Sequence, residues 1–119
     1  MTTQQIADRL AALCRQGDFH KAQEELFAED AISIEPEASA GFEKETNGLQ
    51  AIFEKGKKFG AMVQDNHSCD ISEPFVTGNS IAFLLTMDIT MKGQDRSKMA
   101  EICVYKVKDR KIISEEFFM

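Results

Sequence analysis

The chain has 119 residues, of which 43% are hydrophobic and 29% are charged, and its formal net charge is −6 at pH 7. These proportions are typical of a globular protein, and the length predicts one domain over residues 1–119 that folds without a metal ion or disulfide bonds. The negative charge argues against nucleic acid as a partner, because phosphate binding requires a basic surface.

The cysteines and histidines indicate neither a disulfide framework nor a metal site. Cys14, Cys69 and Cys103 form no CxxC pair and are odd in number, while His20 and His67 are too far apart to complete a zinc site with them. The glycines form no phosphate-binding pattern, so no nucleotide or other cofactor is expected. The N-terminus lacks the features of a secretion signal, and no apolar run approaches the ~20 residues that span a bilayer. We therefore expect a cytoplasmic protein with no membrane partner.

The first part of the sequence predicts two helices. Thr2 and Gln5 have the spacing of a capping box, and apolar residues then recur at helical period until Gly17, which is placed to end the helix. Asp18 is placed to cap a second helix, whose apolar residues run to Phe27.

A short strand over residues 31–34 and a polar loop separate these helices from a third. Asn47 is placed to cap the third helix, which carries Phe59 among the residues of its apolar side. A basic cluster on this helix is expected to face solvent: Lys55, Lys57 and Lys58.

After residue 66 the pattern changes to strands separated by turns. The strands are expected in the stretches HSCDISEPFV, IAFLLTMDITM, MAEICVYKV and IISEEFFM. Three helices followed by a four-stranded antiparallel meander predict an α+β fold. With the early strand added, the sheet is expected to curve around the helices and leave a cavity at its open end.

Two of these strands carry carboxylates that alternation places on one face. If the loop between them is centred between Gln94 and Asp95, Asp88 lies directly across from Glu101. Carboxylates clustered in a half-buried place can share a proton, which gives one of them the pKa of a general acid. The alternative is that this face is simply the solvated side of an antiparallel sheet.

The final hairpin extends this face. A two-residue turn at residues 109–110 would place Glu116 across from Cys103 and Ser114 across from Tyr105. Cys103 is either a nucleophile or, as its lack of a nearby histidine favours, a small buried apolar residue.

His67, at the start of the first long strand, has two interpretations. It is either an acid or base at the cavity or an ordinary polar residue at the start of a strand.

Almost the whole chain resembles the nuclear-transport-factor-2-like superfamily, in particular its SnoaL-like branch, which also contains ketosteroid isomerases. The resemblance rests on three stretches: RLAALCRQGDFHKAQEELFAEDAISIEP, NGLQAIFEKGKKF and YKVKDRKIISEEFF. It implies a cystatin-like fold in which a cone-shaped, curved antiparallel sheet wraps around three N-terminal helices. It also implies a pocket for a small apolar molecule and a homodimer.

The resemblance also implies a general base. Ketosteroid isomerases have a stretch that reads roughly FADDATVEDP, and FAEDAISIEP aligns with it without a gap, so that Glu35 occupies the position of the base. Pro36 independently holds Glu35 in an extended conformation, because proline disfavours the α region for the residue before it.

The oxyanion donors of the isomerases are not matched. Their helix-1 tyrosine falls at Leu10 and their protonated aspartate falls near Cys103, and neither replacement is a strong hydrogen-bond donor. The aspartate position nevertheless implies that the strand face bearing Glu101, Cys103 and Tyr105 looks into the cavity.

Two functions remain open. In the first, the protein is an isomerase-, cyclase- or hydrolase-type enzyme in which Glu35 removes a proton from a small carbonyl or epoxide compound and a protonated Asp88 or Glu101 donates to the oxyanion. In the second, it is a non-catalytic ligand-binding or dimerisation module, because fold does not determine function. The candidate ligand-binding residues are Leu10, Phe59, His67, Cys103, Tyr105 and Glu116.

Overall fold

The computed structural model describes residues 1–39 and 41–119, and confirms the α+β fold. In those residues the helices are α1 (Thr3–Arg15), α2 (Phe19–Leu26) and α3 (Leu49–Met62). The strands are β1 (Phe27–Ile34), β2 (Glu45–Asn47), β3 (Val63–Ile71), β4 (Phe75–Thr77), β5 (Ser80–Met91), β6 (Arg96–Lys108) and β7 (Lys111–Phe118). They form one sheet in the order β2-β1-β7-β6-β5-β3, with β4 paired to β5.

The start and end of α1 are those that the sequence predicts. The Thr2 side chain accepts a hydrogen bond from the backbone N–H of Gln5, and the Gln5 side chain accepts one from the backbone of Thr2, which completes the capping box. Gly17 follows the helix with φ +78°, a conformation that glycine adopts without a steric penalty. Asp18 is at the N-cap position of α2 as predicted, but within the described residues its side chain makes no capping hydrogen bond.

Several boundaries differ from the predictions, and two of them are helix ends. Phe27, assigned to the second helix, instead begins β1, because its side chain is buried against the sheet core and the chain is extended from this residue onward. The residue before α3 is Gly48, with φ +93°, and not the predicted cap Asn47, which lies in β2 and donates its side-chain amide to Glu45.

The sheet is mixed at a single place. β1 runs parallel to β7, with Ser33 paired to Glu115, whereas every other pairing among the described strands is antiparallel. β1 therefore lies between β2 and β7, and residues from early and late parts of the sequence become neighbours at the centre of that half of the sheet.

One face of the sheet, which we call the inner face, packs against the helices. α1 contributes most to this core through its buried residues Ile6, Ala7, Leu10, Ala11, Leu13 and Cys14. α3 is attached differently, because Ile52 is the one buried residue of this fully described helix. In the described part of the chain, no helix is both long and apolar enough to cross a membrane.

Candidate functional site

Three carboxyl groups, one ammonium group and one hydroxyl group come together on the inner face. We call this group the inner polar cluster, and its members are Ser33, Glu35, Lys55, Glu101 and Glu115. β1 supplies Ser33 and leads directly into Glu35, whose backbone N–H donates to the Lys44 carbonyl over 2.7 Å. The other three side chains come from α3, β6 and β7.

Lys55 connects the members of the cluster. Its Nζ donates to Glu35 Oε2 over 2.9 Å and to Ser33 Oγ over 2.6 Å, and the Ser33 hydroxyl donates to Glu115 Oε2 over 2.6 Å. The Lys55 side chain is only 16% exposed, so the prediction that it faces solvent is wrong, whereas Lys57 and Lys58 are exposed as predicted. The Lys55 ammonium lies over the ring of Phe117, with Nζ 5.6 Å from the ring centre.

The environment of the cluster changes the proton affinity of two carboxyl groups. Burial raises the pKa of Glu101 to about 7, and the negative charges of Glu35 and Glu115 act in the same direction. Burial also raises the pKa of Glu115, although the hydrogen bond from Ser33 and the charge of Lys55 oppose that shift. A carboxyl group with a pKa about 7 is present in both protonation states near neutral pH, as general acid–base chemistry requires.

The carboxylate of β7 on the inner face is Glu115. The predicted register, which placed Glu116 opposite Cys103, is wrong. The turn at 109–110 forms as predicted, but β7 contains one extra residue farther along. Val107 of β6 pairs with Ile112, and the next residue of β6, Lys106, pairs with Ser114, so the register shifts by one. As a result Glu115 lies opposite Tyr105, while Glu116 lies opposite Val104 on the other face.

The predicted pairing of Asp88 with Glu101 is also wrong. Leu85 lies opposite Glu101, whereas Asp88 lies opposite Lys98. Asp88 is an odd number of residues from Leu85 along β5, so its side chain lies on the outer face. There Arg96 donates two hydrogen bonds to the Asp88 carboxylate, over 2.9 and 2.8 Å, and these bonds lower the pKa of Asp88. Asp88 thus belongs to a structural ion pair away from the inner polar cluster.

His67 lies near that ion pair. It is exposed, and its Nε2 is 2.9 Å from Thr90 Oγ1 on β5. The structure therefore does not bring His67 together with Glu35.

The inward orientation of Glu101, Cys103 and Tyr105 agrees with the prediction. Cys103 and Tyr105 are buried in the core together with Leu10 of α1. Burial raises the pKa of the Cys103 thiol well above its usual range, which disfavours the thiolate that a nucleophile requires. The interior at these positions is packed with apolar side chains.

Two cavities flank α3 on opposite sides. The first, about 420 Å³ in volume, lies between α3 and the segment around β2, and we call it the Lys55 cavity because Lys55 forms part of its wall together with Phe42 and Thr46. The second, about 770 Å³, lies between α2, α3 and β3, and we call it the phenylalanine cleft after Phe19, Phe53 and Phe59. Among the described residues, Glu35, Glu101 and Glu115 are not part of either wall.

Sequence reasoning missed Ser33, Lys55 and Glu115 as members of the cluster. One signal for Lys55 was present, because residues three apart share a helix face and Lys55 follows the buried Ile52 by three. The other two positions depend on the parallel β1–β7 pairing and on the register shift in β7, neither of which has a sequence signature here.

Comparison with known proteins gives a family match over the full length. Residues 1–119 match the family model of the SnoaL-like domain, whereas no curated protein sequence matches the chain. A protein assigned as a SnoaL-like polyketide cyclase from Mesorhizobium loti is 31% identical with a TM-score of 0.91, and the match covers 100% of both chains.

Two more distant structures share the fold and were solved with small molecules. TerC, co-crystallised with polyporic acid, is 15% identical with a TM-score of 0.80, over 99% of this chain and 92% of that one. A protein with a ketosteroid isomerase-like fold from Catenulispora acidiphila, in complex with trimethylamine, is 17% identical with a TM-score of 0.75, over 99% of this chain and 87% of that one.

Proposed function

Because the chain belongs to the SnoaL-like family, we propose that it binds a small, largely apolar molecule and performs acid–base chemistry on it at Glu35. The reaction class is an isomerisation or cyclisation that begins with removal of a proton next to a carbonyl group. The observation that carries this proposal is the ion pair between Glu35 Oε2 and Lys55 Nζ, which are 2.9 Å apart. Glu101 is close enough for the charges of both groups to act on it.

Glu35 is the base in this proposal. Its side chain is 28% exposed, so it remains reachable while most of its surface is enclosed, and the backbone bond to Lys44 fixes its position after β1. The neighbouring Lys55 Nζ donates a hydrogen bond to Glu35 Oε2, which orients the carboxyl group that accepts the proton in this proposal.

Lys55 and Glu101 are the groups that stabilise the oxyanion. Removal of a proton next to a carbonyl leaves negative charge on the oxygen, and donors aimed at that charge usually provide the largest catalytic effect. A lysine ammonium and a protonated carboxyl group both donate hydrogen bonds. In this proposal Lys55 and Glu101 donate hydrogen bonds to the oxyanion, because Leu10 and Cys103, at the donor positions of the isomerases, are not strong donors.

The Lys55 cavity is the proposed entrance. Lys55 is part of the cavity wall and also contacts Glu35, so a molecule that fills the cavity meets the ammonium group first. Ligands with polar oxygens attached to a mostly apolar body suit this arrangement. Two proteins of the same fold were solved with polyporic acid and with trimethylamine, which supports a small molecule as the ligand class.

Hydrogen–deuterium exchange of a probe ketone tests the base directly. The protein is incubated in D₂O with 2-tetralone, and loss of the α-proton signals is followed by ¹H NMR. The wild-type protein and Glu37→Gln, which alters an exposed carboxylate two residues away, should accelerate the exchange, whereas Glu35→Gln should not. Equal acceleration by Glu35→Gln and the wild type would reject Glu35 as the base.

The phenylalanine cleft supports a second candidate, non-catalytic ligand binding. It is the larger of the two cavities, and its half-buried rings Phe19, Phe53 and Phe59 would gain burial from an apolar occupant. Mapping ¹⁵N chemical-shift changes on adding 2-tetralone separates the candidates. Changes centred on Phe53 and Phe59, without α-proton exchange, favour binding alone, whereas changes centred on Lys55 favour the acid–base site.

The outer face of the sheet supports a homodimer. Leu84, Ile102 and Phe118 lie side by side across β5, β6 and β7, and they are 44%, 50% and 47% exposed. A second copy of the chain that packs its own sheet against this row would bury these side chains in both protomers.

We also propose a cytoplasmic location for the protein. Its three free thiols suit a reducing compartment.

A further inference from the structure

A continuous chain of hydrogen bonds connects Glu35 to the buried Glu115. The Lys55 ammonium bonds to Glu35 at one side and to the Ser33 hydroxyl at the other, over 2.9 and 2.6 Å, and Ser33 bonds to Glu115 over 2.6 Å. The Lys55–Glu35 and Ser33–Glu115 distances are within the range of charge-assisted hydrogen bonds, and the Lys55–Ser33 distance is slightly shorter than that range.

The two ends of this chain differ in exposure. Glu35 is partly exposed, whereas Ser33 is 0% and Glu115 is 5% exposed. A ligand therefore reaches Glu35 but not Ser33 or Glu115, so neither of these two residues acts directly on a ligand. Burial of a charged carboxylate is costly, and a protein retains one in its interior only when it is paired or hydrogen-bonded.

We propose that Lys55 and Ser33 relay a proton between Glu35 and Glu115, so that Glu115 stores the proton that Glu35 removes from a ligand. The functional part of this inference rests on the proposed role of Glu35 as the base. Lys55 and Ser33 transmit the proton and do not retain it.

The transfer balances when each group passes on one proton. Ser33 gives its hydroxyl proton to the Glu115 carboxylate and takes one N–H proton from Lys55, which leaves Lys55 as a neutral amine with a lone pair. That lone pair then accepts the proton of protonated Glu35. Lys55 is again an ammonium and Ser33 again a hydroxyl, while Glu35 is a carboxylate ready to act again. The observed donor directions, from Lys55 to Ser33 and from Ser33 to Glu115, are those that precede the first two transfers. The bond that Lys55 donates to Glu35 reverses its direction when the neutral amine accepts the proton.

The surroundings of Glu115 support its role as the acceptor. It is faced by Ser33 from β1, Glu35 directly after β1, Lys55 from α3, Cys14 from α1, and Glu101, Cys103 and Tyr105 from β6. Among these groups Lys55 carries the positive charge, and burial raises the pKa of Glu115 despite that charge. A proton is therefore held more readily on Glu115 than on an ordinary glutamate.

Infrared spectroscopy after a rapid drop in pH tests the relay in the ligand-free protein. The carbonyl stretch of protonated Glu115 is assigned from its loss in Glu115→Gln, and the rate at which it appears is measured. Ser33→Ala, which removes the relaying hydroxyl, should slow this rate by roughly a hundredfold. Ser33→Thr, which keeps the hydroxyl, and Ser114→Ala, which removes a hydroxyl from β7 outside the cluster, should retain the wild-type rate.

Two results would overturn the relay. One is a wild-type rate in Ser33→Ala, and the other is equal slowing in Ser33→Ala and Ser33→Thr, which would indicate a packing effect. If Ser33→Ala does not fold, Lys55→Met decides, because slowing supports the relay and an unchanged rate rejects it. Since no ligand is present, failure of the relay is distinguishable from failure of Glu35 as a base, which is measured by ketone exchange.

Discussion

Glu115 lies directly opposite Tyr105 in the β6–β7 ladder, and both side chains are buried. The pair places a carboxyl group and a phenol side by side on the inner face, where burial raises the pKa of each. The inner polar cluster therefore extends from the partly exposed Glu35 into the core of the protein.

The protonation of Glu101 should make folding stability depend on pH. In the folded protein burial raises the pKa of Glu101 from 4.5 to about 7, so the folded state holds this proton more tightly than the unfolded state does. The contribution of Glu101 to the free energy of unfolding is therefore complete below pH 4.5 and is lost as the pH rises to about 7. Glu101→Gln should remove this part of the decline and raise stability at pH 8 by roughly 1–2 kcal/mol, after allowance for solvent screening.

Urea unfolding at a series of pH values measures this effect. Glu116→Gln is the matched control, because it alters a carboxylate on the outer face of the neighbouring strand and should leave the decline unchanged. Burial raises the pKa of Glu115 as well, so the stability of Glu101→Gln should still decline in part as the pH rises. An unchanged pH profile in Glu101→Gln would show that this carboxyl group does not hold a proton near neutral pH.

Helix α3 should become more stable when Gly56 is replaced by alanine. Gly56 lies inside the helix, and among the described residues no atom outside the helix's own local backbone comes within 4 Å of the position that a Cβ would occupy. Alanine in a helix interior is favoured over glycine by about 0.5–1 kcal/mol, because glycine loses more conformational freedom. Gly56→Ala should raise the free energy of unfolding by about that amount.

Gly17→Ala provides the opposite control in the same urea experiment. Gly17 has equally open surroundings, but its φ of +78° disfavours any side chain, so the change should cost about 1–2 kcal/mol. A loss of stability in Gly56→Ala would mean that α3 needs glycine at this position for a reason other than space.

A charge in the outer apolar row should prevent self-association. Ile102 is central in the row, with Leu84 on one side and Phe118 on the other, so Ile102→Glu would bury a carboxylate from each protomer in the proposed interface. Analytical ultracentrifugation should find a dimer for the wild type and a monomer for Ile102→Glu.

Gln94→Glu adds the same charge in the turn between β5 and β6 and should remain dimeric. Circular dichroism shows whether each variant is folded. A dimer that persists in folded Ile102→Glu would place the contact elsewhere, and a wild-type monomer would reject the dimer itself.

The sequence predicts those parts of the fold that depend on local patterns. The capping box at Thr2 and the turn at 109–110 depend on neighbouring residues, and the structure has both. Alternation places Glu101, Cys103 and Tyr105 on one face, and the family resemblance implies that this face points inward, as it does in the structure. The position of Glu35 after β1 follows from an ungapped alignment and from the adjacent Pro36.

The parts that failed depend on registers set over longer distances. The β5–β6 pairs are centred on Gly93, whose φ is +76°, and not between Gln94 and Asp95. The partner of Asp88 on β6 is therefore Lys98 and not Glu101, an odd number of residues away, and Asp88 lies on the outer face. Likewise, one extra residue in β7 exchanges Glu116 for Glu115, because side chains alternate between faces at every residue.

The parallel pairing of β1 with β7 has a consequence for the order of folding. Ser33 and Glu115 are 82 positions apart in the chain, so their contact closes a loop that contains most of the protein. Such distant contacts form late, since the entropy of closing a long loop must be overcome before they contribute. A folding intermediate that has α1 and the β5–β6 hairpin but an undocked β7 would have much of its secondary structure and no assembled site. We therefore expect the acquisition of ligand affinity to follow, and not accompany, the appearance of native secondary structure during refolding.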